Sequence, residues 1–166
     1  MARSGDANQV GDVQLKSRDV DQPVGVKPTI AMPKITFRNE ADVKKHVKKL
    51  LDAHGYFWWM PAANAFGKSG AADFMAIKHG VFLAIETKFG NRPLTTMQRA
   101  FLNSINAENG FGFVVHEKNI AWLDVWLQAF ARATAAQSKG EQPSDEDGAI
   151  MLNAIRVLQA EIDTTS

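Results

Sequence analysis

The chain has 166 residues, 45% of them hydrophobic, and a formal charge of +1, which suits one domain with a real core and excludes a disordered chain. No apolar run reaches the ~18 residues of a membrane span. The first twelve residues lack the apolar core of a signal peptide, and the absence of Cys excludes disulfides and thiolate metal sites. A cytoplasmic protein with no membrane partner is expected. Charge is uneven: residues 1–136 carry 17 basic and 12 acidic side chains, residues 137–166 two and six. A mildly basic body is compatible with a nucleic-acid partner without demanding one.

In chain order, residues 1–34 hold no sustained period and three prolines (Pro23, Pro28, Pro33), and read as a flexible arm. Val43, Val47, Leu50 and Leu51 predict a helix from Asn39 to His54, capped by Asn39 or Thr36 and ended by Gly55. Its other face carries Lys44, Lys45, Lys48 and Lys49. Such a face is most often merely solvated, but it could also contact phosphates. Glu40 falls in the first turn, where a carboxylate favours the helix dipole whatever else it does. Tyr56–Met60 reads as an aromatic strand closed by Pro61. Trp58 and Trp59 must point to opposite faces, so at most one is core-facing, and the other could stack on a base or lie under a helix.

The Ala/Gly/Asn/Ser-rich stretch that follows contains Gly67-Lys68-Ser69, which is no phosphate loop. Ala62 stands where that motif needs Gly, and a strand follows the Ser instead of a helix. Lys68 remains free to reach a phosphate. Asp73–Lys78 and Phe82–Lys88 predict a hairpin turning at His79-Gly80. If Lys78 faces Val81, Asp73 faces Glu86, with Cβ atoms roughly 4.5–5.5 Å apart. Lys88 shares the face of Glu86. After the turn at Phe89–Pro93 comes a helix from Thr95 to Ala107, with Thr95 and Gln98 at capping-box spacing. Phe111–Val115 follows as a buried strand, then a helix over Ile120–Arg132. Residues 137–148 read as a linker. Residues 149–166 read as a C-terminal helix with Met151, Ile155, Leu158 and Ile162 near one face. That face could pack back on the domain or form a homodimer contact. The order helix, three strands, helix, strand, helix is that of an α/β sandwich with a mixed sheet, plus one extra helix.

Two acids set directly opposite normally destabilise a sheet. Oxygen-seeking Mg²⁺ would reverse that penalty, held by Asp73, Glu86 and the Thr87 carbonyl with positions left for water and a phosphate oxygen. Lys88 could orient or deprotonate the water, or stabilise charge on the phosphorus. The blander alternative is cross-strand charge pairing in which Lys88 balances the acids. His46, His54, His79 and His116 are scattered, and no two have the spacing of zinc ligands.

Residues from about 38 to 130 resemble the VRR-NUC branch of the PD-(D/E)XK nucleases. The resemblance lies in Glu40, in Gly70-Ala-Ala-Asp73, in Phe82-Leu-Ala-Ile-Glu-Thr-Lys88, and in Leu94-Thr-Thr-Met-Gln98. It departs at Ala72, where that family usually has Pro. The resemblance implies a restriction-endonuclease-like fold over residues 35–136 and a Mg²⁺- or Mn²⁺-dependent DNA endonuclease. Asp73 and Glu86 would be metal ligands, Lys88 the catalytic lysine, and Glu40 and Gln98 supporting residues. It further implies a small phage or mobile-element nuclease of resolvase type, with branched DNA among its substrates. Lys44, Lys45, Lys48, Lys49, Lys68 and Arg92 are the candidate nucleic-acid contacts. A non-catalytic nucleic-acid-binding or assembly module on the same fold is the alternative.

Overall fold

The first helix, α1 (Glu40–Ala53), begins where the Asn39 side chain accepts a hydrogen bond from the Asp42 N–H at 3.0 Å. Of the two expected caps it is Asn39 that serves. Val43, Val47, Leu50 and Leu51 are essentially fully buried on one side of this helix. The computed structural model describes residues 36–62 and 70–163. The arm expected over residues 1–34, and Lys68 in its loop, lie outside the described residues.

Three strands follow α1: β1 (Phe57–Trp59), β2 (Phe74–Lys78) and β3 (Val81–Thr87). Helix α2 (Thr96–Ala107) then leads to β4 (Phe111–Val115). Helices α3 (Ile120–Ser138) and α4 (Asp145–Asp163) complete the fold. The sheet has the order β1-β2-β3-β4, antiparallel between the first three strands and parallel between β3 and β4. It is a mixed α/β fold, as expected. The parallel pair exists because α2 carries the chain across before β4 begins, as a parallel pair requires.

The hairpin has the expected register. Lys78 pairs with Val81 and Phe74 with Ile85, so the next row sets Asp73 beside Glu86. Two residues in the left-handed region make the turn, His79 at φ +49° and Gly80 at φ +79°. Two-residue hairpins that follow the natural strand twist need that conformation at both positions.

Each sheet face has its own core. Phe74, Ile85 and Phe113 pack with Val47, Leu50, Trp126 and Leu158 on one side. Met75, Ala84 and Val114 pack with Leu94, Leu102 and Ile162 on the other. Gly70 ties the chain before β2 to the start of α2: at φ +78°, an added Cβ would lie 2.6 Å from the Met97 backbone.

The linker expected over 137–148 is shorter, because α3 runs on to Ser138 and α4 starts at Asp145. The alanines at 133, 135 and 136 favour helix and carry α3 past Arg132. The acidic run that suggested a linker is instead the first turn of α4. Ser144 Oγ accepts from the Asp147 N–H at 3.0 Å, and Asp145, Glu146 and Asp147 sit at the positive end of the dipole. Arg132 binds Asp147 at 2.6 Å and joins the two helices.

Helix α4 packs back on its own domain. Ala154, Leu158 and Ile162 are buried within the same chain, and Gln159 Nε2 donates to the Gly112 carbonyl of edge strand β4 at 3.3 Å. Leu158→Ala should therefore cost about 2–5 kcal/mol in urea unfolding. Leu152→Ala, on the exposed side of α4, should stay within about 0.5 kcal/mol. Equal small effects would mean that α4 does not contribute to the core.

Candidate active site

Glu86 is the second-last residue of β3 and only 3% exposed, on the sheet face that α2 covers. A buried carboxylate is costly unless several donors reach it. Here two donors share one oxygen: Lys88 Nζ at 2.8 Å and Gln98 Nε2 at 2.5 Å from Glu86 Oε1. Lys88 Nζ also donates to Gln98 Oε1 at 3.0 Å, which closes a triangle of three side chains.

Gln98 is held by the local structure of α2. Its Oε1 accepts from the Thr95 N–H at 3.0 Å while Thr95 Oγ1 accepts from the Gln98 N–H at 3.2 Å. The capping box and the contact with Glu86 are made by one side chain, so they are not rival explanations of this residue. The cap fixes the rotamer, and the rotamer presents the amide to Glu86 and Lys88.

Asp73 stands at the bend before β2. Its Oδ2 accepts from the Thr87 N–H at 3.0 Å and from Thr87 Oγ1 at 2.5 Å. Thr87 thus enters the site through its amide and hydroxyl. Asp73 Oδ1 lies 2.8 Å from Lys44 Nζ, which is also 3.0 Å from Glu40 Oε1. Glu40 Oε2 lies 3.6 Å from Arg92 Nη1. Arg92, Glu40, Lys44, Asp73 and Thr87 therefore form a continuous polar chain beside the Glu86 triangle.

The lysine face of α1 divides. Lys44 turns into the acid cluster, and Lys48 Nζ lies 5.9 Å from the centre of the Trp58 ring. Lys45 and Lys49 stay exposed. The place of Lys44 had a signal in the sequence, since Glu40 and Lys44 are four apart on a helix. The contact of Arg92 with Glu40 had none, because it depends on how the turn after β3 folds back. The two tryptophans separate as expected. Trp58 packs on Phe74 with ring centres 5.7 Å apart, while Trp59, 41% exposed, shares the sheet face of Glu86.

The electrostatics follow from burial. Desolvation pushes the Glu86 carboxyl above its ordinary value; the bond from Lys88 opposes this and nearby Asp73 adds to it. For Lys44, burial works to lower the pKa, but bonds to Asp73 and Glu40 outweigh it and the ammonium is held above its ordinary value. Among the described residues, no three His, Cys, Asp or Glu side chains converge into a metal-binding group. The pair Asp73 and Glu86 still offers oxygen donors only. That donor set fits a hard cation that keeps several of its waters.

No protein-family model matches the chain, and no curated protein is significantly similar to it.

Glu86 should titrate above its ordinary 4.5 when its carboxyl is followed by carbon-detected NMR. Lys88→Met should raise it further, and Asp73→Asn should lower it. The stability that protonated Glu86 contributes is present below 4.5 and is lost as pH rises through its folded-state value. An unshifted carboxyl, or a fall on Lys88→Met, would contradict the geometry.

Proposed function

We propose that the protein is a divalent-metal-dependent DNA nuclease that hydrolyses phosphodiester bonds by direct attack of water. In this reading it has a restriction-endonuclease-like fold of VRR-NUC type, with branched DNA among its substrates. The supporting observation is the buried Glu86 carboxylate, bonded at once to Lys88 and Gln98 and set across the hairpin from Asp73. An ion pair with a structural role alone does not need the second acid, Asp73, set across the hairpin.

Asp73 and Glu86 would hold Mg²⁺ or Mn²⁺, which when bound supplies a more acidic water and neutralises charge on the phosphate. Lys88 presents a fixed ammonium beside Glu86, aimed by Gln98, to orient the water or stabilise charge developing on the phosphate oxygens. Lys44 keeps Asp73 and Glu40 together, and on release from Asp73 its charge becomes available to the DNA backbone. Thr87 holds the second oxygen of Asp73 in place.

One observation favours a second reading, a non-catalytic nucleic-acid-binding module: Lys44 pairs with both Asp73 and Glu40 and so occupies an oxygen of each acid. A single experiment separates the two. Linear and branched DNA are incubated with the protein in Mg²⁺ or Mn²⁺, with chelator as control. The wild type should cut, and Asp73→Asn and Lys88→Ala should each lose about a hundredfold or more in rate. Equal residual cleavage by wild type and variants would end the nuclease reading.

A further inference from the structure

A second cluster of charge lies just past the triangle. The turn that follows Lys88 forms one wall of a cleft of about 250 Å³. Arg92, Arg99, His116, Lys118 and Glu161 line it. Among the described residues, three permanent cations thus face one carboxylate.

That carboxylate is already engaged. The Lys118 N–H donates to His116 Nδ1 at 3.2 Å, which fixes the tautomer with the proton on Nε2. His116 Nε2 then donates to Glu161 Oε1 at 3.0 Å. This bond is the largest of the influences that hold the Glu161 carboxyl below its ordinary value, against burial, which raises it. Arg99 is anchored through Nη1 to the Glu161 and Ile162 carbonyls, at the end of α4 where a cation opposes the dipole. Glu117 lies close by, but its two oxygens accept from the Gly90 N–H at 3.2 Å on the turn itself. Arg92 and Lys118 are both exposed, and their side chains extend into solvent. Arg92 also touches Glu40, so the cleft continues into the acid cluster.

We infer that this cleft is a phosphate-binding subsite for the DNA backbone beside the cleaved bond, with Arg92 and Lys118 as its contacts. Three observations carry it: excess positive charge in a preformed hollow, a single carboxylate already bonded to His116, and continuity with Asp73 through Arg92, Glu40 and Lys44. It rests on the proposed nuclease function for its ligand, but its test does not use cleavage.

The test measures binding of a short fluorescein-labelled duplex by anisotropy across a salt series, with Asp73→Asn as the background protein. Each phosphate contact contributes about 0.9 to the slope of log K against log salt. Lys118→Ala and Arg92→Ala should each lower the slope by about that amount and weaken binding several-fold at moderate salt. Lys139→Ala, an exposed lysine just past α3, should change neither. An unchanged slope on Lys118→Ala overturns the subsite even if Arg92→Ala lowers it, because the contact would then belong to the acid cluster. An equal loss on Lys139→Ala overturns it as well, as a general charge effect. In amide NMR spectra the duplex should shift Gly90 and Lys118. Shifts from inorganic phosphate with none from DNA would make this a free-anion site and overturn the assignment to backbone. If the slopes change as expected but the wild type never cuts, the backbone contact at Arg92 and Lys118 stands, while the nuclease reading and the place of this contact beside a cleaved bond fall.

Discussion

A carboxylate almost out of reach of water, at the end of the central antiparallel hairpin, is the constraint on which the site depends. Glu86 can be charged there only because Lys88 and Gln98 both donate to the same oxygen. Neither partner is adjustable. Lys88 is two residues along the strand, so the pleat turns it to the same face. Gln98 is bound by its own helix cap. The tight turn at His79-Gly80 sets the register that brings Asp73 opposite, and a one-residue slip would send Glu86 to the other face.

The remaining elements hold that arrangement still. Helix α2 must cross over before β4 can pair in parallel with β3, and its first turn is what delivers Gln98. Helix α1 contributes Glu40 and Lys44 from the edge nearest Asp73. Helix α4 lies along β4, and its last turn is fastened by Arg99 of α2 and by His116 at the end of β4. The last helix therefore serves the interior of the domain, and it also completes the cleft beside the acids.

Much of this could be read from residue order, and the reasons differ by element. The hairpin was legible because strand pairing is arithmetic once the turn is placed. The α2 cap was legible because Thr95 and Gln98 obey a local rule of spacing. The convergence of Glu86, Lys88 and Gln98 was suggested by family likeness, and its geometry rests on the register and the cap together. The connection before α4 is shorter than its composition suggests, because a Ser followed by acids suits a linker and a helix start equally. Only the tertiary partner of Asp147, the Arg132 side chain, decides between them. By helical spacing the four lysines of α1 share one surface, yet Lys44 is diverted inward by Asp73, a residue distant in sequence. Arg92 is legible as a basic residue of the turn, but the cleft it shares with Lys118 is not, since that cleft joins two turns, the start of α2 and the end of α4, which share no local pattern.

In the proposed function Asp73 and Glu86 act together on one divalent cation, against the ammonium that Lys44 sets on Asp73. Calorimetric titration of the wild type, Asp73→Asn, Glu86→Gln and Lys44→Met with Mn²⁺ tests it directly. One site per chain is expected in the wild type, lost in both acid variants and tightened in Lys44→Met. Binding unchanged in Glu86→Gln, or no Mn²⁺ binding by the wild type and Lys44→Met alike, would contradict it.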